Sequence, residues 1–264
     1  MTESINTRPR ATTADLRREN LASVISLLHR VGPLRRMEIT EATGLNKSTV
    51  LSLVEELEAL ELVTEQAALT EPMAVGIHAV AKAQPTARDA VLVVGCGPVG
   101  LAVIAGLKLE GIGPIVASDF SPKRRALAET LGADVVVDPG AEDVSKVFAK
   151  AAGSKQALLF ECVGVPGVID QVMRDAPRGA RIVVAGVCME ADRIRPMFGI
   201  HKELSIQFVL GYTPEEFERS LHALAEGAIP GEALVTGKVD IDGVAGAFET
   251  LGDPEAHAKI LVEP

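Results

Sequence analysis

The run Gly95-Cys96-Gly97-Pro98-Val99-Gly100 spaces three glycines as G-x-G-x-x-G, after the apolar Val91-Leu92-Val93-Val94 and before an apolar helical pattern from Leu101 to Leu109. Between a strand and a helix this spacing serves phosphate binding. The first glycine permits a tight turn, the second lets the backbone approach a pyrophosphate, and the third allows close helix–strand packing, with the helix N-terminus facing the phosphates. Asp119 ends the next apolar run, where an acid hydrogen-bonds the hydroxyls of a ribose. A carboxylate there repels a 2'-phosphate, so NAD is the favoured cofactor. Lys123, Arg124 and Arg125 follow and leave NADP open.

No other constellation carries chemistry as clearly. The odd count of cysteines (Cys96, Cys162, Cys188) offers no Cys-x-x-Cys pair, which fits a reducing compartment and excludes a cysteine-based structural zinc. His29, His78, His201, His222 and His257 show no ligand spacing, and no nucleophile elbow or carboxylate pair stands out. No catalytic residue and no metal ligand is assigned. Glu71, in Thr70-Glu71-Pro72, reads as a helix-start residue favoured by the dipole.

The elements that must position the glycine loop are legible as alternating segments. Strands are expected at 90–94, 114–119, 134–137, 157–163, 181–187 and 204–210, separated mostly by helical patterns. Short apolar runs with helical crossovers imply a parallel sheet covered on both faces. The fold class is therefore α/β, a doubly wound Rossmann sheet of six parallel strands over 66–264. The last strand, 204–210, is apolar enough to need covering at the sheet edge, and a homodimer through it is expected.

Residues 1–65 differ in texture. Helical periodicity places one helix through Leu16, Leu21, Val24, Leu27 and Leu28 to about Arg30, ended by Gly32-Pro33. A second spans 35–43, then Gly44 turns, Leu45 plugs, and Asn46 caps a third over 47–60. This is the arithmetic of a small all-α helix-turn-helix domain. Residues 1–50 carry 8 Lys+Arg against 5 Asp+Glu in a chain of net charge −10, so only this end suits a phosphate backbone. With 3% aromatics and no Trp, single-strand nucleic acid is disfavoured. The first residues lack an apolar targeting core and no run is long enough to span a bilayer, so a cytoplasmic protein without a membrane partner is expected.

Several stretches together resemble the C-terminal half of the zinc-dependent medium-chain dehydrogenases of threonine, sorbitol or butanediol type. They are ALTEPMAVGIHAV (68–80), VLVVGCGPVGLAVI (91–104), SDFSPKRRALAETLGAD (118–134), FECVGVPGVI (160–169), GARIVVAGVC (179–188), KELSIQFVLGY (202–212) and HAKILVEP (257–264). The resemblance implies Gly95, Gly97, Pro98, Val99 and Gly100 at the pyrophosphate and Asp119 and Arg124 at the adenosine ribose. It further implies Cys162, Val163, Gly164 and Val187 along the crevice toward the nicotinamide. The zinc ligands and proton relay of such enzymes come from a preceding domain whose motifs are not found in this sequence. No zinc is expected, and hydride transfer by this chain unaided is not expected. Glu71 matches a family glutamate near that metal, but one carboxylate cannot hold it.

The segment NLASVISLLHRVGPLRRMEITEATGLNKSTVLSLVEELEALELVTE (20–65) resembles the N-terminal winged helix of ROK-type repressors. That implies double-stranded DNA as a partner, with Lys47, Ser48, Thr49 and Ser52 facing the major groove. Thr40 departs from the usual core alanine, Glu55, Glu56, Glu58 and Glu61 make the far end of the third helix acidic, and the wing is replaced by dehydrogenase-like sequence. Three readings stay open here: a dehydrogenase-derived NAD(H) module, a transcriptional regulator responsive to NADH, and a fusion without joint function.

Overall fold

A computed structural model describes residues 13–31, 36–59, 62–253 and 255–262. The chain divides into two compact units, Met1–Val63 and Thr64–Pro264.

In the first unit α1 (Thr13–Val31), α2 (Arg36–Thr43) and α3 (Lys47–Ala59) bury Val24, Ile25, Ile39, Val50 and Leu53 among themselves. Gly44 takes φ +70°, the left-handed turn expected of it. Asn46 caps α3: its Oδ1 accepts from the Thr49 N–H at 2.8 Å and the Ser48 hydroxyl at 2.7 Å. Leu16 is exposed, so the apolar stripe of α1 begins later than its periodicity implied. Gly32-Pro33, Arg35, Leu60 and Glu61 lie outside the described residues, as do the side chains of Leu28, His29, Glu55, Glu56 and Glu58.

The second unit begins within α4 (Leu62–Ala83). The helix expected to open at Thr70-Glu71-Pro72 instead starts at Leu62 and runs through Pro72. Pro72 forfeits one backbone hydrogen bond, but Leu69, Met73, Ala74, Ile77 and Val80 are buried along the same helix and hold it together. Glu71 is consequently mid-helix, and the dipole reading of it does not apply.

After α4 come β1 (Asp89–Val94), α5 (Pro98–Leu109), β2 (Ile115–Ser118), α6 (Pro122–Leu131), β3 (Val135–Val137), α7 (Val144–Ala152), β4 (Gln156–Glu161), α8 (Val168–Asp175), β5 (Arg181–Val184), α9 (Pro196–Lys202) and β6 (Ser205–Phe208). The six strands form one parallel sheet in the order β3-β2-β1-β4-β5-β6. The order in which strands are added thus reverses between β1 and β4, and the ligand crevice of an open α/β sheet opens outside the strand ends at that switch. One core layer packs Val91, Val93, Leu158 and Phe160 against α5; the other packs Leu92, Leu159 and Ile182 against Phe148 of α7 and Val172 and Met173 of α8. Helix α5 buries eight consecutive residues, Gly100 to Leu107, because it lies between the sheet and α4.

Three expected strands end early. β4 stops at Glu161 and not at residue 163, β5 at Val184 and not at 187, and β6 at Phe208 and not at 210. The residues beyond form crevice loops, and Gly164 at φ +71° cannot continue a strand. The chain closes with α10 (Pro214–Ala225), a 3-10 turn at Gly231–Leu234, β7 (Val235–Val239), α11 (Val244–Leu251) and β8 (Lys259–Val262), with β7 and β8 forming a separate two-stranded parallel sheet that the sequence did not reveal. Ile241, Phe248 and Val262 remain exposed there. Among the described residues no helix is long and apolar enough to cross a membrane.

Candidate functional site

The glycine loop joins β1 to α5, and its three glycines answer to different constraints. Gly95 sits at φ +91°, where a side chain would also strike Val163 at 2.7 Å. At Gly100 a Cβ would lie 1.9 Å from the Gly95 carbonyl oxygen, so this glycine lets helix and loop touch. Gly97 is unlike both. Its φ of −70° and ψ of −176° suit any residue, and a Cβ there would meet no protein atom within 4 Å. Packing does not require a glycine at 97. It leaves bare backbone at the start of α5, whose first turn offers the N–H groups of Val99 and Gly100, Pro98 having none, at the positive end of the helix dipole.

Asp119 stands just past β2. Its Oδ2 accepts from the Cys96 N–H and its Oδ1 from the Ser121 N–H, both at 2.8 Å. It therefore fixes the glycine loop to the turn before α6, a role not evident from its sequence position. Each oxygen keeps a second lone pair, enough for a ribose diol. Ser121 in turn caps α6 by accepting from the Arg124 N–H.

A pocket of about 1090 Å³ opens at this edge. Gly95, Asp119, Arg124 and Val163 line it, with apolar walls from Phe120, Pro139 and Val165. It extends as a groove between α7 and α8, floored by Leu92, Ala157 and Leu159. Of the residues expected along the crevice, Cys162 is instead buried against the glycine loop, 3.4 Å from the position of a Cβ at 100. Gly164 meets the backbone of Gly186 and Val187. Val187 is exposed beside it.

Glu161, which the sequence did not single out, organises those loops. It is buried at the end of β4, and its Oε1 accepts from the N–H groups of Val163 (2.7 Å) and Gly164 (2.9 Å). Its Oε2 is buried next to Gly186 with no partner among the described residues. The only signal for it was an acid at the end of an apolar run. The cysteines are not poised for reaction: burial and the nearby Asp119 carboxylate push the Cys96 thiol up to about 12, and burial raises Cys162 well above its usual range.

Among the described residues no three His, Cys, Asp or Glu side chains converge as metal ligands. Glu71 is exposed on α4 and has no such companions. These residues do not fit a zinc ion, and no chemistry is derived through one. The arrangement fits a dinucleotide: a strand–loop–helix phosphate cradle, an acid at ribose distance along the sheet edge, and an apolar slot beyond.

Residues 98–226 match the zinc-binding dehydrogenase family. The α/β unit corresponds to the nucleotide-binding half of a zinc-type dehydrogenase. The chain is 35% identical over 206 residues to (R,R)-butanediol dehydrogenase of Bacillus subtilis, covering 77% of this chain and 59% of that protein. It is 30% identical over 189 residues to sorbitol dehydrogenase of Ovis aries, covering 70% and 53%. The crystal structure of the Bacillus subtilis 2R,3R-butanediol dehydrogenase superposes with a TM-score of 0.67, covering 76% of this chain and 58% of that one. An Escherichia coli alcohol dehydrogenase solved with NADH gives 0.67 at 26% identity, covering 75% and 59%. The chain thus spans somewhat more than half the length of the relatives it matches, and the family match at 98–226 lies within its α/β unit.

In the first unit Lys47, Ser48 and Ser52 are exposed and Thr49 half-buried on α3. Ser52 is engaged, accepting from Arg17 Nη2 at 3.3 Å. Thr40 is half-buried, and no hairpin wing follows α3 among the described residues, where α4 stands instead.

Proposed function

We propose that the Thr64–Pro264 unit binds NAD(H) as the nucleotide-binding module of an alcohol or polyol dehydrogenase. The pyrophosphate lies over Gly97, Pro98 and Val99 at the start of α5, the adenosine ribose on Asp119 with Arg124 beside it, and the adenine against Phe120 and Pro139. The nicotinamide points along Val163 and Gly164 toward Val187. The observation that carries this reading is Gly97, whose bare backbone nothing in the protein demands. When bound, the dinucleotide would supply a hydride acceptor or donor. This chain's own part is to bind and orient it, with Glu161 holding the turn at 163–164. The test is titration of the full chain with NADH, followed by nucleotide fluorescence. Saturable binding at one site per chain supports the reading, and its absence in folded protein refutes it.

A homodimer through β6 accompanies this reading. β6 is the outer strand of the sheet, and Phe208, Leu210, Met197 and Ile200 expose apolar side chains on and near it, surface a soluble monomer rarely leaves contiguous.

A second reading concerns the first unit: a DNA-binding module that, joined to the dinucleotide site, makes the chain a regulator responsive to NADH. It is favoured by the Asn46 cap and the exposed Lys47, Ser48 and Ser52 on the helix after the Gly44 turn. Selection from random duplex DNA at 50 and 200 mM salt tests it. An enriched half-site whose binding weakens steeply with salt supports it; no enrichment refutes it.

A further inference from the structure

The adenosine end of the pocket holds more charge than Asp119 alone. Lys123, Arg124 and Arg125 stand in succession in the first turn of α6, cations that left to themselves would accept a 2'-phosphate. Two are already engaged. Arg125 Nη1 donates to the carbonyl oxygens of Asp119 (2.7 Å) and Phe120 (2.8 Å), and its Nη2 pairs with Asp138 at 3.3 Å. Lys123 Nζ donates to the carbonyl oxygen of Glu255. Arg124 lines the pocket with a buried Nε that has no partner among the described residues.

The Lys123 contact ties the turn between α11 and β8 to the pocket rim. Glu255 of that turn lines the same pocket as Asp119, Phe120 and Arg124, and its buried Oε1 has no partner among the described residues. A desolvated carboxylate oxygen is unfavourable unless a donor reaches it. An adenosine offers donors in its ribose hydroxyls and its exocyclic amine. Two carboxylates against one disengaged guanidinium also make the ribose edge hostile to a phosphate carrying nearly two negative charges.

Resting on the dinucleotide reading above, we propose that Glu255 is a second acidic determinant of cofactor choice: with Asp119 it selects a dinucleotide with free ribose hydroxyls and rejects one with a 2'-phosphate. The test measures NADH and NADPH affinities of the full chain by fluorescence titration for wild type, Glu255→Gln and Glu255→Lys. Glutamine keeps the size of the side chain and the backbone carbonyl that Lys123 holds. Wild type is expected to prefer NADH. Glu255→Gln narrows that preference roughly tenfold, the scale of one charge removed from a partly desolvated site, and Glu255→Lys narrows it further. If NADH still binds but the ratio stays within about twofold of wild type in both variants, Glu255 has no such role and the dinucleotide reading stands. A wild type that binds neither nucleotide overturns the dinucleotide reading and this inference together.

Discussion

Gly97→Ala separates ligand binding from folding, because the residue's backbone angles suit alanine and the added methyl meets no protein atom. Alanine at a helix N-cap costs about 0.5–1 kcal/mol relative to glycine's tolerance there, while stiffening the unfolded chain returns about 0.4–1 kcal/mol. The melting temperature without nucleotide should therefore stay within about 3 °C of wild type for a unit of this size. In wild type, NADH at a hundred times its Kd adds about 2.7 kcal/mol, a rise of roughly 5–10 °C. A methyl group in the path of the pyrophosphate that weakens binding a hundredfold leaves about 0.4 kcal/mol at the same concentration, roughly 1 °C. Paired thermal melts with and without NADH read this directly. A variant that melts like wild type and still shows the full NADH shift would refute the assignment of Gly97. Asp119→Ala is the poorer probe, since it also removes the hydrogen bonds from the Cys96 and Ser121 N–H groups that tie the glycine loop to the turn before α6.

Gly100→Ala should behave in the opposite way: a Cβ 1.9 Å from the Gly95 carbonyl forces α5 off the loop, and urea denaturation should show a loss of about 3 kcal/mol or more. Asp89, buried at the start of β1, pairs with Arg181 at 2.7 Å; burial pushes its carboxyl up, but Arg181 and Thr86 outweigh this and hold it below the usual range. A depressed carboxylate stabilises the fold above its unfolded pKa and loses that contribution as pH falls through the folded one. The stability gap between wild type and Asp89→Asn should accordingly be full at pH 7 and shrink below about pH 4, as urea titrations at several pH values would reveal. Leu210→Lys should convert a dimer to a monomer in sedimentation velocity at micromolar concentration, and a wild type already monomeric there would end the edge-strand proposal.

What the sequence made legible follows from how parallel sheets are built. Strands buried on both faces read as unbroken apolar runs, so Val91–Val94 and Leu158–Phe160 were plain, and the glycine spacing fixed the loop between β1 and α5. β7 was hidden because its residues alternate between half-buried and exposed and its partner β8 lies beyond α11. The start of α4 is displaced because Thr70-Glu71-Pro72 reads locally as a helix start, which the burial of Leu69, Met73 and Ile77 along one continuous helix overrides. At the site, Asp119 was found by position, but its grip on the Cys96 and Ser121 N–H groups depends on three-dimensional register. Glu255 gave no signal, because only the fold carries residues so distant in sequence to the rim beside Lys123.

The most direct test of the central claim is a crystal structure of the full chain grown with NADH. The pyrophosphate should lie against the backbone of Gly97 and Val99, with the adenosine ribose hydroxyls on Asp119. A dinucleotide bound elsewhere, or a glycine loop with no nucleotide on it at saturating NADH, would contradict it.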